Sequence, residues 1–386
     1  MASEPISANP LPKLLATQRV LITAGAGGVG KTTTAAALAV AAARQGRRVL
    51  CLTIDPARRL AESLGLERMG TEAITIDPAR FRDAGVPITG SVTVAMLDTK
   101  STFDEFVKKH ASSPERAQRL LGNKLYKYVS TTLAGTQEYM AMEKLVAVRD
   151  DAAFDLVLLD TPPTTNALDF LDAPERLIEA LDSPAMKWFI EAFQSSGKVS
   201  LNLLAKSAAL VLKTIGKVTG GGFLDDMAQF ISELNDLFGG FKTRAAMVQK
   251  ALRAPDTSFL LVTSPAPMSI REVLYFSERL AEHSMPRGAY IVNRLRMAPP
   301  RPDEPPTEAE VREAVKRQAI ALDEDAPERL LRAHADAVKL AALDARHVKA
   351  LDEQSRHQVP IVRVPELPSD VRDLALLGQV ADLLVA

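Results

Sequence analysis

Arg19-Val20-Leu21-Ile22-Thr23-Ala24-Gly25-Ala26-Gly27-Gly28-Val29-Gly30-Lys31-Thr32-Thr33 joins a short apolar run to an alanine-rich one, Ala35–Ala43, through a loop holding four glycines in six residues. The run Arg19–Thr23 predicts a β-strand, and the alanines, the best helix formers, predict a helix. Between a strand and a helix, the spacing Gly25-x-x-x-x-Gly30-Lys31-Thr32 reads as a phosphate-binding loop. Glycines let backbone N–H groups converge on phosphate oxygens, and the helix N-terminus adds a favourable dipole. The expected cradle comprises Gly25, Gly27, Gly28, Val29, Gly30, Lys31, Thr32 and Thr33. Lys31 is expected to reach the β- and γ-phosphates of a nucleotide, and the Thr32 hydroxyl to ligate magnesium.

Outward from this loop, similar runs recur at Arg48–Ile54, Val92–Leu97, Phe154–Asp160, Ser258–Thr263, Ala289–Asn293 and Pro360–Val364. Most are apolar throughout rather than alternating, which suits strands of a parallel sheet covered on both faces. The expected class is α/β, a P-loop NTPase fold over residues 1–386 with helices flanking a mostly parallel sheet. About a hundred residues without a convincing strand separate Phe154–Asp160 from Ser258–Thr263, too many for a simple crossover. They predict an inserted helical subdomain over 175–255. A smaller helical insertion is expected over 101–150, and a proline-rich loop followed by charged helices over 298–355.

The chain has 386 residues, 47% of them hydrophobic and 25% charged, with a formal net charge of −1. That balance suits a globular protein and gives no global attraction to nucleic acid or acidic membrane. One cysteine, Cys51, leaves no intramolecular disulfide and no all-cysteine metal site within a chain. The five histidines, His110, His283, His334, His347 and His357, show no ligand spacing. No stretch approaches the ~18 apolar residues of a membrane span, and the first residues lack a leader pattern, so the expected location is cytoplasmic.

A magnesium site needs a second anchor, usually an acidic residue at the carboxyl end of a buried strand. Phe154–Asp160 ends in one, followed by Thr161-Pro162-Pro163-Thr164, a turn suited to sensing a γ-phosphate. Asp160 is the expected metal anchor; the plainer alternative is an aspartate capping the next helix. The second strand leads into Thr53-Ile54-Asp55-Pro56-Ala57. Asp55 is the candidate for positioning an attacking water, although Asp-Pro taken alone is more often a plain turn.

Together, Gly-Ala-Gly-Gly-Val-Gly-Lys-Thr-Thr, Ile-Asp-Pro-Ala and Asp-Thr-Pro-Pro-Thr resemble the ArsA family of dimeric ATPases, which includes the arsenite-pump ATPase and the ATPase that targets tail-anchored membrane proteins. Gly135-Thr136-Gln137-Glu138-Tyr139-Met140 is similar to that family's Gly-x-x-Glu segment. Val262-Thr263-Ser264-Pro265, Ile291-Val292-Asn293 and Val364-Pro365-Glu366-Leu367-Pro368 follow the order of its late strands. The resemblance implies ATP and Mg2+ as cofactors, Lys31 and Asp55 as catalytic residues, and Thr32 and Asp160 at the metal. It also implies Asn293 and Pro365 as adenine contacts, although Asn293 alone is equally a strand-end turn former.

Two departures stand out. The family usually carries a lysine directly after the loop's first glycine, reaching across the dimer to the partner's nucleotide; here that position is Ala26, whose methyl supplies no cation. The zinc-clamping cysteine pair of one branch and the metalloid-binding cysteines of the other are also missing, and Cys51 reads as a buried apolar residue. The expectation is therefore a homodimer or a heterodimer with a lysine-bearing paralogue, the latter accommodating a weakly catalytic chain. In the insertion, Phe223, Leu224, Met227, Phe230, Ile231, Leu234, Leu237, Phe238 and Phe241 repeat at helical spacing. The stripe suits a groove for an apolar helical protein client, but any helix packed on its own neighbours has this period. A partitioning ATPase acting through membrane or DNA is the remaining reading. Neutral charge and the lack of a basic terminal helix weigh against it, so neither nucleic-acid binding nor stable membrane insertion is expected.

Overall fold

The computed structural model describes residues 9–54, 60, 64–66, 72–124, 126, 127, 136–161, 179, 183, 184, 230, 243–300, 302–318, 323 and 325–386. Eight strands form one sheet: β1 (Val20–Ala24), β2 (Arg48–Thr53), β3 (Ile74–Thr75), β4 (Ser91–Met96), β5 (Leu156–Asp160), β6 (Thr257–Thr263), β7 (Arg287–Leu295) and β8 (Ile361–Pro365). Their order is β3-β4-β2-β5-β1-β6-β7-β8. All neighbours pair in parallel except the edge pair β3–β4. The described helices are α1 (Leu11–Thr17), α2 (Lys31–Arg44), α3 (Pro78–Asp83), α4 (Thr99–His110), α5 (Pro114–Gly122), α6 (Thr136–Arg149), α7 (Pro267–Glu282), α8 (Glu308–Arg317), α9 (Ala326–Gln354) and α10 (Leu374–Val385). The α/β class expected from the apolar runs is the class observed.

Period-two alternation divides the core between the two faces of the sheet. Val20, Ile22, Leu50, Leu52, Val157, Leu159, Phe259, Leu261, Tyr290 and Val292 pack with residues of α4, α5, α6, α7 and α9. Leu21, Val49, Cys51, Leu156, Leu158, Leu260, Val262, Ala289 and Ile291 pack with α1, α2, α3 and α10. Because both faces are covered, β1, β5 and β6 are buried along their whole length. That is why their sequences are apolar runs.

Helix α2 shows what its alanines are for. Every residue from Ala35 to Ala43 is buried, because the helix lies between the sheet and α10 and contacts α1 as well. Methyl-sized side chains allow close approach on all sides without loss of helix propensity. The far end of the sheet is held by arginines. Arg19 donates to the carbonyls of Arg149, Asp151 and Phe154, and Arg47 donates to those of Leu15, Gln18 and Asp155. Arg149 Nη2 donates to both oxygens of the Asp256 carboxylate, at 2.8 and 2.9 Å.

Strand limits differ from the sequence expectation by a residue or two, and β3 is an addition. A two-residue strand has no periodicity to read; it exists through its antiparallel pairing with β4. Most of 175–255 lies outside the described residues, including Trp188 and the Phe223–Phe241 stripe apart from Phe230, which is buried in the core on the sheet face covered by α4, α5, α6, α7 and α9. Residues 243–252 are helical.

Candidate functional site

The site gathers at the carboxyl ends of β1, β2 and β5. The order β2-β5-β1 places Asp160 between Thr53 and Thr23, each paired with it in register. Asp160 is 1% exposed, and a carboxylate so buried needs hydrogen bonds in place of water. Thr32 Oγ1 donates to Oδ2 at 2.7 Å. Longer contacts come from Thr53 Oγ1 at 3.3 Å and Thr23 Oγ1 at 3.4 Å. Thr161 follows and donates its hydroxyl to the Thr23 carbonyl at 2.8 Å. The α/β arrangement therefore brings Thr32 and Asp160, far apart in the chain, into direct contact.

The loop from β1 to α2 is shaped by two close approaches. A Cβ on Gly25 would lie 1.9 Å from the Val262 carbonyl oxygen, so β6 passes directly against the loop. Gly30 caps α2 at φ 95°, and a Cβ there would lie 2.3 Å from Asn293 Nδ2. Gly27 and Gly28 form the exposed rim, whereas Val29 is buried beneath it. Lys31 is also buried, its Nζ donating to the Ala26 carbonyl at 2.8 Å. Thr33 occupies the next turn position, half-buried. No side chain caps α2, and its first turn contains no acidic residue. An anion lying in the loop would therefore meet the positive dipole end of α2.

Asn293 and Pro365, on neighbouring strands, reach the same end of the sheet. Asn293 Nδ2 donates to the Val29 carbonyl at 2.9 Å, while Pro365 closes β8 opposite Leu295. Asp55 lies outside the described residues, as do Pro162, Pro163 and Thr164. The chain approaching Asp55 is tethered to the site, since Ile54 N–H donates to the Asp160 carbonyl at 3.3 Å. Cys51 is fully buried in β2; desolvation, assisted by the Asp160 charge, pushes its thiol pKa up and keeps it protonated.

Sequence reading missed the supporting threonines Thr23, Thr53 and Thr161 and the Val262 carbonyl. A signal was present, because β1 carries Thr23 near its end while β2 and β6 close on Thr53 and Thr263. Buried threonines at strand ends beside a glycine loop are a weak pattern until the strand order is known.

A glycine loop wrapped over a helix N-terminus, with a buried lysine and a threonine–aspartate contact at the ends of parallel strands, defines the P-loop class of nucleotide-binding proteins. Within that class, the sequence profile of the ArsA anion-transporting ATPases matches residues 18–324. The chain belongs to this family. It is similar to the ATPase get3 of Aspergillus terreus, 24% identical over 284 residues covering 72% of this chain and 74% of the relative. It is likewise similar to the ATPase GET3 of Malassezia globosa, 25% identical over 285 residues covering 72% of each.

Proposed function

We propose that this chain is a magnesium-dependent ATP hydrolase that works as a nucleotide-switched dimer in the cytoplasm and handles an apolar protein client such as a membrane-protein segment. The observation that carries the nucleotide part is the 2.7 Å contact between Thr32 Oγ1 and the buried Asp160 carboxylate. It places two hard oxygen donors together beside Lys31, the donor set that suits Mg2+. When bound, Mg2+ supplies charge neutralisation at the phosphate oxygens. Lys31 would exchange its contact with the Ala26 carbonyl for the β- and γ-phosphates, and the N–H groups of Gly27 to Thr33 would complete the cradle. Asp55, one residue beyond the tethered Ile54, is proposed to orient the attacking water. Asn293 and Pro365 are proposed to flank the base.

Phosphate release from Mg·ATP by the purified protein tests this reading. Turnover should require Mg2+, be lost in Lys31→Ala, and fall on the order of a hundredfold in Asp55→Asn. Unchanged turnover in both variants would sink the proposal. The client and the dimer are expectations from the family resemblance, and ATP-dependent change in mass by light scattering tests the second.

One observation favours a variant of this reading. Ala26 stands where the family usually presents a lysine, and the residue is 5% exposed, within the core cluster that includes Val29 and the alanines of α2. In this variant the chain binds ATP but hydrolyses it slowly until a lysine-bearing paralogue joins it. Rapid turnover by the pure homodimer would exclude it.

A further inference from the structure

Asn293 stands where β7 stops running in step with β8: the register shifts between Val292 and Leu295. Between them Arg294 has φ 58°, a left-handed conformation that is unfavourable for a non-glycine residue. A break in register of this kind re-aims the neighbouring side chains, and strain maintained at a strand end beside a site is a pointer to function. Here the Asn293 amide meets the phosphate loop twice. Its Nδ2 donates to the Val29 carbonyl at 2.9 Å. The same nitrogen fills the space that any side chain on Gly30 would need, 2.3 Å from that Cβ position.

A trans peptide directs its C=O and the following N–H in opposite directions. Fastening the Val29 carbonyl to Asn293 therefore turns the Gly30 N–H away from β7. We propose that Asn293 is a positioning residue for the phosphate loop: it sets the Val29–Gly30 peptide so that the Gly30 N–H faces the phosphates, independently of any contact with a base. This rests on the nucleotide-binding reading above. It gives Asn293 a part in binding the triphosphate moiety itself, beyond the adenine contact implied by resemblance.

The test measures dissociation constants of wild type, Asn293→Ala and Asn293→Leu for Mg·ATP and for Mg·tripolyphosphate, which has phosphates but no base. Leucine keeps the branched heavy-atom skeleton of the amide while removing its donor. Thermal unfolding and the number of sites per chain are recorded alongside. Loss of one loop-ordering hydrogen bond should weaken both ligands by a similar factor, about fivefold. A loss confined to Mg·ATP would make Asn293 a base contact only and overturn the inference. Unchanged dissociation constants, with or without a lower Tm or fewer sites, would also overturn it, since a purely structural role alters the amount of competent protein rather than its affinity. Wild-type protein that binds neither ligand would defeat the nucleotide reading and this inference with it.

Discussion

Gly25 and Gly28 occupy one loop and carry different constraints. At Gly25 the obstacle is another strand, with the Val262 carbonyl 1.9 Å from any Cβ. At Gly28 no heavy atom lies within 4 Å of a Cβ, and the constraint is its φ of 77°. Gly25→Ala is therefore expected to force the loop off β6 and abolish nucleotide binding. Gly28→Ala should retain binding at a conformational cost of roughly 1–2 kcal/mol. Titration with a fluorescent ATP analogue separates them; equal affinities in the two variants would contradict the steric account. Asp160 illustrates the opposite dependence, a single carboxylate whose burial is tolerated because hydroxyls from three separate chain segments reach it. Its character as a strand-end aspartate was legible in Phe154–Asp160. Its partners Thr23 and Thr53 were not, because nothing local says which strands will flank β5.

At the scale of elements, α2 connects site and core. Its first residues form the loop's helix N-terminus, and its alanine body is enclosed by the sheet, α1 and α10. Helix α10 buries Leu374, Leu377, Val380, Ala381 and Leu384, and brings Asp382 onto Arg44 at the end of α2. The packing is close enough that a Cβ on Gly378 would lie 2.5 Å from Val86 Cγ2. Leu377 is fully buried, so Leu377→Ala should destabilise the fold by ~2–5 kcal/mol, read by urea unfolding. Its effect on ATP affinity should be small, because the cavity lies behind α2 rather than at the loop. A loss below 1 kcal/mol would mean that α10 is not a structural cover. The alanine run was readable as helix from propensity alone. That it had to be alanine follows from three neighbours converging on one helix.

Over the whole molecule the sheet is polarised. Loop, lysine, threonines and Asp160 collect at the carboxyl ends of the strands, where open α/β sheets place ligands. The amino ends are fastened by Arg19, Arg47, Arg48 and Arg149. There, hydrogen bonds from Arg48 hold the Asp155 carboxyl at about 2, below its ordinary 3.8. A carboxyl lowered in the folded state contributes stability that is fully present above its unfolded value and is lost as the pH falls through the folded one. Arg48→Ala should therefore flatten the stability–pH curve between about pH 4 and pH 2 and leave neutral-pH nucleotide binding unchanged. The pair is solvent-exposed, so added salt should shrink the difference. An acid limb identical to wild type would refute the assignment. No described helix is long and apolar enough to cross a membrane. The phosphate loop, the parallel class and the candidates Lys31, Thr32 and Asp160 were legible in sequence because each depends on neighbours within a few residues: glycine geometry, apolar runs and a strand-end carboxylate. The threonine row around Asp160, the passage of β6 against Gly25, the two-residue strand β3 and the hold of Asn293 on Val29 came only with the assembled sheet. Each depends on which distant strands become neighbours, and that choice is made by packing two helical layers on one sheet, a long-range optimum that no local pattern encodes.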